Sequence, residues 1–334
     1  MNRPYISVII TAYNRKEFVA EAVNSVLNQS LAKQKYEIIL IKNFETDYDK
    51  RWRKKGVKLI LKEGSIGEYL YTGILLSRGE ILTFLDDDDL YEQGRLESVY
   101  KNFKSQRSLL YYHNNNIAFS ESGPVKSIGN VVKDQIVYSS EIQKLYQIIL
   151  SGLYFNLSSV AIRKNAITNT INLIRQIRSN PDDCIFYAAL HKNAKLIFTT
   201  AALTRYRIHT NNMSINLSED DITERAKRNF KDGKHAFNIF KRILIKNNNK
   251  NAIKVLNSKV LRSELNDKII LNKKVTIREF LKYVYYYSLP YTFYCKKIDY
   301  FLLLLLIYNF FPKFSRNLLI RRMLLIKRMI LKSR

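Results

Sequence analysis

The 334-residue chain carries 56 Lys and Arg against 29 Asp and Glu, a formal net charge of +27, with 46% hydrophobic and 12% aromatic residues. That composition excludes a disordered or collagen-like chain and leaves room for one large domain or two moderate ones. So positive a balance calls for an anionic partner: nucleic acid, anionic lipid or a phosphorylated substrate. The two cysteines, Cys184 and Cys295, stand far apart and form no spaced cluster, which argues against a cysteine-based metal site and fits a reducing compartment. No charged-then-apolar leader precedes the first apolar run, so no signal peptide is expected.

Residues 5–11 form a near-continuous apolar run and predict a strand buried on both faces. Over 16–28, Phe18, Val19, Ala22, Val23, Val26 and Leu27 fall on one stripe and predict a helix. Strands are expected over 36–42, 57–61 and 81–85, with a helix from Ser65 to Ser77 between the last two. Strand-helix alternation at this pace predicts a doubly wound α/β unit, in which ligands bind beyond the carboxyl ends of the strands. Thr11 to Tyr13, Asn43 and Asp86 to Asp89 all fall at such ends. A helix is expected over 91–104, a strand over 108–112, and a hairpin or irregular excursion over 114–138, marked by a Glu-Ser-Gly-Pro turn. A helix over 140–151, a strand over 157–162 and a helix from Pro181 to about His191 follow. Short strands over 195–200 and 203–208 and a polar loop over 209–221 complete this part. From residue 222 the chain is rich in Lys, Asn, Ile, Leu and Tyr, and its periodicity is helical.

The chemistry starts at Ile81 to Asp89, where five strand residues run into four consecutive carboxylates. Unpaired, those charges repel at a cost that rises as water is excluded. Acids on a buried approach suit a hard divalent cation such as Mg²⁺ or Mn²⁺, which takes one or two carboxylates together with substrate phosphates. Asp182 and Asp183 open a helix, where cap and dipole roles stand as the alternative to a carboxylate that removes a hydroxyl proton. Lys50 to Lys55, with Trp52 among them, reads as a solvated connection between strands rather than a nucleic-acid patch. Residues 300–311 supply about 12 apolar positions, short of the ~20 that cross a bilayer. With the Arg- and Lys-rich stretch after them they predict an interfacial element on anionic lipid, a packed helical subdomain being the alternative.

The run Ser7-Val-Ile-Ile-Thr-Ala-Tyr-Asn-Arg15 with its helix, then Glu37-Ile-Ile-Leu-Ile41, then Ser77-Arg-Gly-Glu-Ile-Leu-Thr-Phe-Leu-Asp-Asp-Asp-Asp89 resembles glycosyltransferase family 2 of the GT-A fold, over roughly residues 4–215. The resemblance implies a Rossmann-like mixed sheet with helices on both faces over 1–215 and a basic, mostly helical region over 216–334. It implies inverting, Mg²⁺- or Mn²⁺-dependent transfer from a UDP-, GDP- or dTDP-sugar to a hydroxyl of a glycan or lipid-linked acceptor. Carried over by position, Asp86 and Asp88 are the ends of an Asp-x-Asp motif, with Asp88 on the metal and Asp87 towards the donor. Thr11, Ala12 and Tyr13 hold the nucleobase. Asp183 is the base, with Asp182 beside it. His209 is directed at the metal or diphosphate and Arg207 at phosphate. The family's acid after the second strand is replaced by Asn43, whose amide both donates and accepts. Asp89 has no expected role beyond capping the helix that follows. The setting implied is the cytoplasmic membrane face, with the protein bound peripherally and its oligomeric state open. A nucleotidyltransferase would need a Gly-rich phosphate loop that Ala12-Tyr13-Asn14-Arg15 is not, and a non-enzymatic basic protein for nucleic acid or membranes leaves both acid clusters unexplained.

Overall fold

The structure is a computed structural model describing residues 3–120, 123–124, 131–209, 218–295 and 299–331. Residues 121–122 and 125–130 of the expected excursion, the stretch Thr210 to Ser214, and Lys296 and Lys297 lie outside the described residues. The strands are β1 (Ile6–Ala12), β2 (Tyr36–Lys42), β3 (Val57–Leu61), β4 (Ile81–Asp86), β5 (Leu90–Tyr91), β6 (Leu109–Ser120), β7 (Gly123–Pro124), β8 (Gln135–Tyr138), β9 (Val160–Arg163) and β10 (Lys195–Arg207). They form a single sheet in the order β3-β2-β1-β4-β9-β6-β10-β5, with β7 on β6 and β8 on β10. The β3-β2-β1-β4 half is parallel, and antiparallel β9 joins it to β6. The result is the mixed α/β sheet that the motifs implied.

Register decides where the functional ends fall. Thr11 pairs with Asp86 and Ala12 with Lys42, so β1, β2 and β4 finish level with one another. All seven residues of β1 are buried, as a strand covered on both faces requires. Helices α1 (Val19–Leu27), α2 (Asp49–Lys54), α3 (Ile66–Leu76) and α4 (Arg95–Ser105) flank this half. Helix α3 lies close on β1 because it carries Gly73 there. A Cβ at that position would meet Ile9 Cγ2 at 2.5 Å. In α2 the basic residues face solvent while Trp52 is buried, so the run lacks the exposed aromatic that base stacking needs.

The second half adds α5 (Ile142–Ser151), the short α6 (Asn165–Thr168) and α7 (Ile171–Ile174), and α8 (Pro181–Ala189). The two strands expected over 195–208 are one strand, β10, with irregular register between Thr199 and Thr204. Strand β6 runs on to Ser120 because β10 pairs alongside it as far as Phe119. The helix expected from residue 91 begins at Arg95, since Leu90 and Tyr91 pair instead with Arg205 and Thr204.

The C-terminal helices are α9 (Glu219–Lys246), α10 (Lys250–Ile270), α11 (Ile277–Tyr283), α12 (Leu289–Cys295), α13 (Tyr300–Tyr308) and α14 (Pro312–Leu331). Ala236, Ile239, Phe240 and Ile243 of α9 and Val255 and Leu256 of α10 share one hydrophobic core with the sheet and with α3, α5 and α8. A separate core holds Leu265, Tyr283, Tyr287, Phe301, Leu305 and Ile320. Residues 300–311 thus divide between the two expectations for them: Phe301, Leu304, Leu305 and Tyr308 pack inward, while Leu303, Leu306, Phe310 and Phe311 stay exposed.

Candidate active site

The tetrad sits where β4 ends, and its four acids have four environments. Asp88 Oδ2 lies 3.0 Å from His209 Nε2, and Arg15 donates to both Asp87 and Asp88. Arg15 Nη1 is also 3.4 Å from the His209 ring. Burial works against an ionised Asp88, but His209 and Arg15 outweigh it and hold its pKa below the ordinary value. Burial raises Asp87 to about 7 despite Arg15. Burial, then the charges of Asp89, Asp88 and Asp87, pushes Asp86 well above the carboxylate range. Asp89 also rises to about 7, from burial and from Asp88.

Asp89 does not cap a helix. Its Oδ1 accepts from the backbone N–H of Arg207 at 3.0 Å and its Oδ2 from Asn156 Nδ2 at 3.2 Å. It therefore braces the tetrad against β10 and against the segment before β9. Arg207 is turned to the same task. It donates to the Asp88 carbonyl at 2.9 Å and to Glu21 at 2.9 Å, and its guanidinium lies over the rings of Phe18 and Phe119.

A metal can be tested against these donors. Among the described residues, no group of three His, Cys, Asp or Glu side chains is gathered for one ion. Asp88 Oδ2 and His209 Nε2 lie 3.0 Å apart, a hydrogen-bond separation that two ligands at ~2.1 Å from one cation and at right angles would also have. Asp87 Oδ2 is buried with no hydrogen-bond partner. A carboxylate and an imidazole beside further buried acids fit a hard cation that completes its shell with phosphate oxygens and water.

At the carboxyl end of β1, Thr11 and Ala12 are buried and Tyr13 is exposed, its ring edge-on to Tyr69 with centroids 6.3 Å apart. Asn43 and Asn14 bond reciprocally, at 2.9 Å (Asn14 N–H to Asn43 Oδ1) and 2.6 Å (Asn43 Nδ2 to Asn14 Oδ1). Asn43 Nδ2 also lies 3.3 Å from Glu63, a carboxylate the sequence reading passed over. Asn43, Phe44, Glu45, Leu61, Lys62 and Glu63 line a shallow cavity of about 300 Å³.

The second acid centre opens α8. Asn180 enters it with φ of 55° and its side chain makes no cap bond, while Pro181 fills the first turn. Asp183 Oδ1 accepts from Tyr154 Oη and from Lys259 Nζ, the latter at 2.6 Å. Lys259 also donates to Tyr154. Burial opposes the ammonium charge, yet Asp183 and its neighbours raise the Lys259 pKa above the ordinary lysine range. Asp182 is lifted to about 6 by burial and then by Asp183. Tyr154 and Lys259 were both missed from sequence. Tyr154 had no motif around it, and Lys259 lies on α10, 76 residues beyond its partner.

One short segment touches both centres. Tyr154 touches Asp183 and Asn156 touches Asp89, and residues two apart have Cα atoms no more than about 7 Å apart. The other histidines stand aside: His113 is buried and bound to the Phe155 carbonyl, its pKa lowered by burial to about 4. His191 and His235 face backbone carbonyls.

A mixed sheet that ends one strand in clustered acids, with a second acid pair at a nearby helix start, defines a transferase of the GT-A class. The family model described as "Glycosyl transferase family 2" matches residues 7–171. Residues 7–171 therefore form a glycosyltransferase family 2 domain, and the protein is a glycosyltransferase. It is 29% identical over 226 residues to an uncharacterized glycosyltransferase of Haemophilus influenzae, covering 65% of this chain and 84% of that protein. It is 30% identical over 146 residues to TarP of Staphylococcus aureus, named as a poly(ribitol-phosphate) β-N-acetylglucosaminyltransferase, covering 40% of this chain but less than half of TarP, 45%. Among solved structures, S. aureus TarS 1–349 in complex with UDP-GlcNAc superposes with a TM-score of 0.57 at 15% identity, over 96% of this chain and 90% of that one. At that identity the likeness speaks for the fold.

Proposed function

We propose that the enzyme transfers a sugar, with inversion, from a UDP-sugar to a hydroxyl of a phosphate-bearing or lipid-linked glycan. The observation that carries this is the pairing of centres: Asp88 with His209 on one side, Asp183 with Lys259 and Tyr154 on the other, joined through Tyr154 and Asn156. UDP is favoured because the TarS relative of like fold is described with UDP-GlcNAc, and a phosphate-bearing acceptor because TarP is named for one. The net charge of +27 suits such an acceptor, and it supports a peripheral place on the cytoplasmic membrane face.

On the donor side, Tyr13 stacks on the base, Thr11 and Ala12 form its floor, and the Asn43 amide with Glu63 reads its polar edge. Asp87 faces the ribose or sugar. Asp88 and His209 would hold Mg²⁺ or Mn²⁺, with Asp86 behind them. When bound, the cation supplies Lewis-acid neutralisation of the diphosphate leaving group. Arg15, already on Asp87 and Asp88, is placed to turn its guanidinium to phosphate oxygens. Arg207 serves the donor indirectly, by fixing the Asp88 backbone.

On the acceptor side, Asp183 takes the hydroxyl proton as that oxygen attacks the anomeric carbon. Lys259 and Tyr154 both hold Oδ1 and fix the carboxylate's orientation, leaving Oδ2 to accept the proton. Asp182, raised to about 6, packs behind Asp183. The test is UDP release from candidate UDP-sugars with Mn²⁺ and a polyol-phosphate or lipid-linked acceptor. Acceptor-dependent release supports the proposal. Failure of every UDP-sugar to bind or turn over rejects it.

A further inference from the structure

The helix that begins at α11 continues through a π turn, Val284–Ser288, into α12. Its inner side carries Tyr283, Tyr287 and Ser288, all buried. Its outer side carries Ile277, Leu281, Tyr285, Leu289 and Phe293, each more than half exposed. These five recur at intervals of four residues. A four-residue step overshoots an α-helical turn by about 40°, and the wider π turn takes some of that back, so the stripe stays on the outside. A second set, Leu303, Leu306, Phe310 and Phe314, is exposed along α13 and the start of α14. Both sets lie on helices built around the separate C-terminal core. Isolated apolar side chains on a surface need no explanation, but ordered rows of Leu, Ile, Phe and Tyr mark an interaction face.

The charges around these rows identify the partner. Arg278 and Lys282 of α11 and Lys313, Arg321 and Arg322 of α14 are exposed on the same run of helices. The acids of the stretch 276–324 are Glu279 and Asp299, and both are already engaged. Glu279 closes the capping box of α11 and pairs with Lys268, while Asp299 is buried on Arg262 and Tyr283. A second copy of this face would set like charges against each other, which disfavours self-association. Among the described residues no helix is long and apolar enough to cross a membrane. Apolar rows with tyrosine at their margins and basic residues around them, without free acids, are the chemistry of a surface that lies in the headgroup region of an anionic bilayer.

We propose that the outer rows of α11 to α14 form a docking face for anionic phospholipid, with Leu281, Leu289 and Phe293 entering the acyl boundary and Arg278, Lys282, Arg321 and Arg322 meeting headgroup phosphates. This rests on the peripheral placement above and is independent of the transfer chemistry. The face belongs to helices outside the segment that carries the family motifs, so the chain holds its lipid-binding and sugar-transfer surfaces on different parts of the fold.

The test is sedimentation of the full chain with phosphatidylcholine vesicles with and without phosphatidylglycerol. Binding is expected with phosphatidylglycerol and lost at high salt. Removing two charges by R321Q and R322Q should weaken it about fivefold per charge. L281E with F293E should abolish it while leaving the melting temperature and UDP-sugar binding unchanged, since both positions are exposed. As a check independent of those changes, the tryptophan of F293W should be quenched by lipids brominated in their tails. Wild-type protein that ignores anionic vesicles overturns the peripheral placement as well as this face. Wild-type binding that survives L281E with F293E, or F293W that is not quenched, overturns the face alone. A wild-type dimer that L281E with F293E splits into monomers makes a second copy the occupant, and also overturns it.

Discussion

The two acid centres differ in where their positive charge comes from. The tetrad draws on Arg15, three residues past β1, and on His209, two residues past β10. Asp182 and Asp183 draw on Lys259, which arrives from α10 after the composition has shifted. The tetrad is therefore assembled within the sheet and its immediate loops, whereas the surroundings of Asp183 depend on the C-terminal helices being in place. The comparison also separates their chemistry. At the tetrad, burial leaves Asp86, Asp87 and Asp89 with raised pKa values and room for further positive charge. At Asp183 a fixed ammonium already supplies it.

The sharpest way to break this division is at the base. Asp183→Asn keeps the side chain's size and its bond to Tyr154 but cannot take a proton. Transfer is expected to fall by roughly 10²- to 10⁴-fold, with donor affinity by titration calorimetry unchanged. Turnover near wild type would remove Asp183 from the base role. Next comes Arg15→Met, which leaves buried carboxylates short of a cation. A loss of about 3–5 kcal/mol is the scale for breaking a buried pair, reduced here because Arg15 is partly exposed. Mn²⁺ should restore more of the melting temperature in the variant than in wild type. Equal Mn²⁺ shifts would mean that Arg15 and the metal do not share these acids.

Lys259→Met probes the other pole. Removing the ammonium leaves Asp183 Oδ1 held by Tyr154 alone, so kcat should fall while donor affinity by calorimetry stays at the wild-type value. Lys259→Arg should restore turnover. A fall in melting temperature and donor affinity along with kcat would show that Lys259 only supports the fold. The smallest effect concerns Asp87, whose folded pKa of about 7 lies above its ordinary value. The proton is held more tightly in the folded state, so this stability is complete below about pH 4 and is lost as pH rises through about 7. From about pH 5 to about pH 8 the melting temperature of wild type should therefore fall relative to Asp87→Asn, in the absence of divalent cation. A constant difference would contradict the buried, protonated Asp87.

The donor half was legible in the sequence because its signals are local. A parallel strand buried on both faces reads as an unbroken apolar run, and acids stopping that run are visible by eye. The resemblance assigned Asp88 and His209 to one site, and the structure brings them to 3.0 Å. Asp89 and Arg207 were read less well because their partners are backbone groups across the sheet, which no spacing reports. Lys259 was invisible for a related reason: one lysine among many on an amphipathic helix has no local mark of its ion pair. Tyr91 was read as the start of a helix, whereas it is extended in β5 through pairing with β10, an interaction between distant parts of the chain. The apolar stretch 300–311 offered two readings because periodicity shows that a helix has faces without showing which of them a neighbour covers.

The division of labour between the centres is tested most directly by one matched titration. UDP, the part common to every proposed donor, is added calorimetrically, with and without Mn²⁺, to wild type, Asp88→Ala and Asp183→Asn. The arrangement of the site predicts Mn²⁺-dependent binding to wild type and Asp183→Asn, and loss of that dependence in Asp88→Ala. Mn²⁺-dependent binding retained by Asp88→Ala and lost in Asp183→Asn would place the donor at the other acid centre and contradict the account.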